Sequence, residues 1–173
     1  TAVATCDKEI FDYISSIGGT AVMTEASHER ASDRCAEALL KLESIYATRY
    51  DIVVMVQGDE PLVTPGMVSA SLNPFSDPSV NVVNLMAIIR SEREFEDPNE
   101  IKVVVDKQGY AIYFSREPIP TRSRGITNAL KLKQVCIIPF RRDYLIKFNS
   151  TPETLLERVE SVDMMRIIEN GEK

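Results

Sequence analysis

Residues 51–61 read DIVVMVQGDEP, an apolar run that breaks abruptly into two acids. A strand with one wet face alternates apolar and polar residues. Ile52, Val53, Val54, Met55 and Val56 do not, so the run predicts a strand covered on both faces, the kind found in parallel sheets. Gly58 and Pro61 stop it. The carboxylates of Asp59 and Glu60 are therefore expected just past the strand's carboxyl end, where open α/β sheets place their ligands.

The segments before this strand fit the same architecture. AVAT at 2–5 reads as the tail of a strand, and Asp7 can cap a helix whose apolar positions Ile10, Tyr13, Ile14 and Ile17 share one face. Gly18 and Gly19 predict its C-cap rather than a dinucleotide loop, since the GxGxxG spacing is absent. TAVMT at 20–24 is the next strand. A second amphipathic helix follows, with Cys35, Ala38, Leu39, Leu42 and Tyr46 on one side. Strand, helix, strand, helix and strand predict two βαβ units with right-handed parallel crossovers.

After residue 80 the pattern changes. NVVNLMAII at 81–89 predicts a strand, and KVVVDKQGYAIYFS at 102–115 a hairpin turning on Asp106 to Gly109. QVCIIPF at 134–140 is a further strand, followed by a helical RRDYLIKF and a late helix in SVDMMRIIEN. One domain spanning 1–173 is expected, with a smaller β lobe at about 100–140. The chain starts inside what reads as a second strand and stops just after a helix, which suggests the interior of a longer protein.

Charge narrows the partners. The 26 acids against 20 bases leave a net charge of -6, which argues against a phosphate-backbone surface and hence against nucleic acid. No apolar run approaches a membrane span and no signal-peptide pattern opens the chain, so no membrane insertion and a cytoplasmic location are expected. Cys6, Cys35 and Cys136 are widely spaced without a CxxC pair and read as buried thiols; His28 is the single histidine. GxSxG and the P-loop pattern are both absent, leaving metal-assisted transfer as the enzyme class.

Hard oxygen ligands at a strand end suit Mg²⁺, usually held by one or two carboxylates while phosphate oxygens and water complete its shell. Asp59 is the candidate ligand; a solvated Gly-Asp-Glu-Pro turn is the alternative. HERASDR at 28–34 sets arginines and small hydroxyl residues at a loop-to-helix junction. Ser27 or Ser32 could cap the helix there while Arg34 reaches an anion, or the segment is a solvated cap with local ion pairs. Arg116, in SREPIP, either meets an acidic substrate or decorates the surface.

Taken together, VVMVQGDEPLVTP, AVMTEASHERASDR, PNEIKVVVDKQGYAIYFSREPIP and SVDMMRIIENG resemble the 3-deoxy-manno-octulosonate cytidylyltransferases, the CMP-Kdo synthetases, in the family's order and over nearly the whole chain. The resemblance implies a Rossmann-like α/β fold of the nucleotide-diphospho-sugar transferase type. Its sheet would be mixed and mainly parallel, with a smaller β-containing dimerisation lobe and a homodimer formed near the 102–115 hairpin. It implies transfer of CMP from CTP to a 3-deoxy-2-keto sugar acid, Kdo or Kdo-like, with release of pyrophosphate, for lipopolysaccharide or capsule sugar activation. Asp59 then matches the acid that holds Mg²⁺ and serves catalysis. Ser32, Arg34 and Gln57 lie where the family handles the nucleotide, and Arg116, Gln134 and Asp163 where it handles the sugar acid.

Three departures accompany the resemblance. The family's G-S-x-R-x-P-G-K loop and its V-D-T-P segment do not occur in these residues, which implies that they are inactive by themselves. Where the family has H-x-G-I-Y, this chain has Gln134, Val135, Cys136, Ile137 and Ile138, and the usual Glu-Gln of the late helix falls on Asp163 and Met164. Such exchanges alter hydrogen bonding to sugar hydroxyls and suggest a Kdo-like acid other than Kdo. The other readings are an inactive nucleotide-binding or assembly module of the same fold, and a nucleotidyltransferase for another sugar acid.

Overall fold

The computed structural model describes residues 1–123, 125 and 129–173. Its first third follows the predicted rhythm. Strand β1 (Val3–Thr5), helix α1 (Lys8–Ser16) and strand β2 (Ala21–Met23) form a βαβ unit whose strands pair in parallel, Val3 opposite Ala21. The Asp7 carboxylate caps α1, accepting from the backbone N–H groups of Glu9 at 2.7 Å and Ile10 at 3.1 Å. Gly18 closes the helix at φ +76°, and a Cβ on Gly19 would lie 2.8 Å from the Ile14 side chain.

Helix α2 (Ala31–Tyr46) leads into β3 (Ile52–Val56) as expected, but the pairing of β3 differs. It runs antiparallel to β8 (Ile137–Arg141), from Ile52 opposite Arg141 to Val56 opposite Ile137. Among the described residues the β1–β2 pair is the parallel one; the remaining ladders are antiparallel. An unbroken apolar run reports burial on both faces and not the direction of the neighbour. The other edge of β3 and the edge of β1 line a single cleft.

The second sheet is four-stranded, in the order β4 (Leu85–Ile88), β7 (Leu132–Val135), β5 (Lys102–Val105), β6 (Ala111–Ser115). The β5–β6 hairpin turns where predicted. The Asp106 carboxylate accepts from the N–H groups of Gln108 and Tyr110, and Gly109 adopts φ +90°. Residues 124 and 126–128 of the predicted lobe lie outside the described residues.

Two predicted strands are each split. Residues 81–83 pair with β8, through Arg141 N–H to Asn81 and Val83 N–H to Pro139, whereas β4 pairs with β7. The stretch 134–140 likewise breaks at Cys136 into β7 and β8. Asn84 sits at the crossing and donates to the carbonyls of Leu85 and Val135. The two sheets thus share strands that change partners at Asn84 and Cys136.

Helix α3 (Pro65–Leu72) packs on β8, the short α4 (Glu92–Glu96) follows β4, and three further helices lie towards the carboxyl end. Helix α5 (Arg142–Ser150) packs on α2, and the short helices α6 (Leu155–Glu160) and α7 (Met165–Glu169) pack on each other. The late helix begins at Met165 rather than at Ser161, because Ser161 adopts φ +53° as the C-cap of α6. The core lies between β8, β5, β6 and these helices. Phe140, Leu145 and Met165 are fully buried in it, and the rings of Phe140 and Phe148 are 5.7 Å apart. Burying a side chain of that size contributes about 1.5–3 kcal/mol. Among the described residues no helix is long and apolar enough to cross a membrane.

Candidate functional site

The cleft between β1 and β3 holds about 1080 Å³. Apolar side chains of α2, among them Cys35, Leu39 and Tyr46, form part of its wall, and Gln57, Asp59 and Arg34 also line it. Asp59 is exposed, and its carboxylate has no hydrogen bond or ion pair among the described residues. The Gln57 side-chain amide is likewise without a protein partner there, while its N–H continues the β3–β8 ladder to the Cys136 carbonyl at 3.1 Å. The predicted pair of acids does not act as a pair: Glu60 turns inward, and its carboxylate accepts from the Cys136 N–H at 2.6 Å.

The loop-to-helix junction differs in detail from expectation. Arg30, not Ser27 or Ser32, is the N-cap of α2, and it makes no side-chain capping bond. Ser32 sits one residue into the helix, almost wholly buried, and its hydroxyl donates to the Asp163 carboxylate at 3.0 Å. Burial pushes the Asp163 carboxyl above its usual range, and the Ser32 bond pulls it partly back. Arg34 folds over the preceding loop, donating to the Thr24 hydroxyl at 2.5 Å and to the carbonyls of Glu25 and His28. Glu37 fastens the same loop to α2 by accepting from the Glu25 N–H at 2.9 Å and meeting His28 Nε2 at 2.5 Å.

The residues expected to meet a sugar acid are each engaged by protein. Gln134 donates to the Asn84 side chain at 2.5 Å. Arg116 donates through its guanidinium to the carbonyls of Glu160, Pro98 and Ser161, and its own N–H bonds the Glu160 carboxylate at 2.9 Å. Of the predicted residues, the structure brings Arg34, Gln57 and Asp59 to one cleft. It pairs Ser32 with Asp163 in the interior and places Gln134 on β7 and Arg116 directly after β6.

Cys136 links the two groups. Burial first, then the charges of Asp59 and Glu60, push its thiol up to about 12, so it stays protonated at neutral pH. Neither Cys136 nor the inward turn of Glu60 is legible from GDEP alone. The role of Asn84 is equally hidden, because a lone Asn inside a strand pattern carries no partner information.

Among the described residues no three acidic, His or Cys side chains gather as a ready-made metal cage. A single exposed carboxylate nevertheless fits Mg²⁺, which takes one or two protein oxygens and leaves the rest of its octahedron to phosphate and water.

The fold and the cleft along β1 and β3, walled by α2 and carrying the exposed Asp59 and Glu29 carboxylates without protein partners among the described residues, define an α/β protein with an open ligand cleft. The chain belongs to the cytidylyltransferase family, whose model matches residues 1–173. It is 36% identical to the 3-deoxy-manno-octulosonate cytidylyltransferase of Syntrophotalea carbinolica, over 98% of this chain and 69% of that protein. The enzyme of the same name from Geotalea daltonii is 39% identical, again over 98% of this chain and 69% of that one. A solved structure of CMP:2-keto-3-deoxy-manno-octonic acid synthetase complexed with CTP superposes with a TM-score of 0.84 at 35% identity, covering 98% of this chain and 68% of that one.

Proposed function

We propose that this chain is part of an enzyme that transfers CMP from CTP to the anomeric hydroxyl of a 3-deoxy-2-keto sugar acid, Kdo or a close relative, releasing pyrophosphate. The observation that carries the reading is the unpartnered Asp59 carboxylate at the end of β3, facing the cleft in a chain of the cytidylyltransferase family. Asp59 would hold Mg²⁺, and the bound ion would neutralise phosphate charge and align the attacking sugar oxygen with the α-phosphorus. Gln57, with its amide uncommitted, would meet the nucleotide; Arg34 would hold the 24–28 loop that borders it. Ser32 would act through Asp163, keeping the start of α2 in place against the late helix.

On the sugar side, Gln134 and Arg116 would face the acid, with Asp163 behind them. No covalent protein nucleophile is needed, so catalysis comes from positioning and electrostatics. The reading extends to a cytoplasmic activation step for lipopolysaccharide or capsule sugars. It also extends to one domain with a β lobe at about 100–140 and a homodimer through that lobe. Ile112 on its strand β6, exposed by 53%, and Met86 and Ile88 on β4 of the same sheet, exposed by 43% and 56%, support such a contact.

A second reading is a nucleotide-binding or assembly module without turnover. Arg34 and Arg116 favour it, since both guanidinium groups are already occupied by protein oxygens. Pyrophosphate release by the full-length enzyme from CTP with Mg²⁺ and a panel of 3-deoxy-ulosonic acids separates the two. Turnover is expected, with an acid other than ordinary Kdo preferred. Asp59→Ala is expected to lower it by at least about a hundredfold, with stability within about 0.5 kcal/mol of wild type. No release with any acid, or full turnover in Asp59→Ala, would defeat the proposal.

A further inference from the structure

The peptide of Cys136 is held from both sides by the loop that carries Asp59. The β3–β8 ladder ends at Val56 opposite Ile137, and the bond from Gln57 N–H to the Cys136 carbonyl extends it by one rung. Glu60 supplies the next contact with a side chain instead of a backbone group, its carboxylate accepting the Cys136 N–H at 2.6 Å. The Glu60 N–H in turn bonds the Gln57 carbonyl at 3.2 Å, closing the turn. Gly58 and Asp59 are the two residues left at its apex, and both are exposed.

We infer that Glu60 is a positioning residue for Asp59: its carboxylate, anchored on the Cys136 N–H, fixes the turn so that Asp59 projects into the cleft. The inference rests on the reading of Asp59 as the residue facing a metal-bound nucleotide. Three features support it. Adjacent side chains on a tight turn diverge, so drawing Glu60 inward sends Asp59 outward. The Glu60 side chain is the acceptor that the part-buried Cys136 N–H bonds, so removing it leaves that donor without its partner. Turning one of two neighbouring acids away from the cleft also removes a charge that would repel a triphosphate.

The anchor joins two parts of the molecule. Cys136 is the break between β7 and β8, two residues beyond Gln134, so the bond fixes the spacing between the Asp59 turn and the strand that carries Gln134. What Glu60 must provide on this account is an acceptor, not a negative charge. A direct metal ligand would need the charge.

Glu60→Gln keeps an acceptor oxygen and Glu60→Ala removes it. Two measurements on the full-length enzyme decide the matter: amide hydrogen exchange at Cys136, and affinity for Mn²⁺ with CTP followed by water-proton relaxation. In Glu60→Ala, Cys136 exchange is expected to speed up and Mn²⁺–CTP affinity to fall, each by about tenfold, as loss of one partner of a shielded hydrogen bond implies. In Glu60→Gln both are expected to stay within about threefold of wild type. Equal losses of affinity in the two variants would overturn the inference in favour of a metal ligand, and unchanged exchange and affinity in Glu60→Ala would overturn it outright. If wild type itself fails to bind Mn²⁺–CTP, the reading of Asp59 falls, while the exchange rates still show if Glu60 anchors the turn.

Discussion

The β1–α1–β2 unit and the α5–α7 end of the molecule are built on opposite terms. Helix α1 has no buried residue, and Ile10, Tyr13 and Ile17 are exposed by 47%, 64% and 62%. The strands beside it are three residues long and meet a cleft on one edge. At the other end Glu157 and Arg166 form an ion pair, 2.5 Å apart, that is almost wholly buried, and Arg166 also donates to the carbonyls of Phe148 and Thr151. Lys102 is fully buried as well, its ammonium donating to the Asp97 carbonyl at 2.7 Å. Buried charge and packing are concentrated at the α5–α7 end, and the β1–α1–β2 side is left thin. Segments with few buried contacts open most readily.

The contrast is broken most severely at the buried pair. Arg166→Met leaves the Glu157 carboxylate without its cation in the interior, and a loss of about 3–5 kcal/mol is expected in urea unfolding. Replacing Glu157 and Arg166 together with apolar residues of similar volume should recover much of that, because the single change is penalised by the orphaned charge and not by the missing attraction. If Arg166→Met costs no more than an ordinary surface change, the far end is not where the stability resides.

How far the sequence could anticipate this contrast depends on the range of the signal involved. Local signals were readable. Asp7 before an amphipathic run, Gly18 after it, and Asp106 to Gly109 between two apolar stretches each act within a few residues and appear where the pattern put them. The start of α6 is also written locally, in Thr154 and Glu157, whose carboxylate accepts the Thr154 N–H at 3.2 Å. The pairing of β3 was not readable, because the apolar run at 52–56 is satisfied equally by a parallel or an antiparallel neighbour, whereas the parallel β1–β2 pair was. The site was legible to the same degree: Asp59, Gln57 and Arg34 reach one cleft, but which of two adjacent acids turns inward is set by Cys136, 76 residues away. Ser32 illustrates the same limit, its hydroxyl being directed by Asp163, 131 residues further on.

A smaller test works on the thin side. Asp7→Ala removes the acceptor for two N–H groups at the start of α1, and a cap of this kind is worth about 1 kcal/mol. Because α1 buries nothing, the loss should appear mainly as faster amide exchange in α1, with exchange in β5, β6 and β8 unchanged. Equal acceleration in both regions would mean that the unit does not open separately.

The smallest effect is expected at Glu37, where charge fastens the loop before α2. The Lys41 ammonium, 2.6 Å from Glu37, and then the Glu25 N–H hold the Glu37 carboxyl at about 2, well below the ordinary carboxylate range. A depressed folded-state value means that the contribution is fully present at neutral pH, begins to fade below an ordinary pKa of about 4.5, and is gone once pH passes below about 2. Wild type should therefore exceed Glu37→Gln in stability at pH 7 by about 1 kcal/mol or less, the usual worth of a partly exposed ion pair. The gap should hold down to about pH 5 and narrow steadily at lower pH. Thermal unfolding of both proteins across pH 7 to 3 measures it. A gap that widens with acid would show that this loop is held by something other than the Glu37 carboxylate.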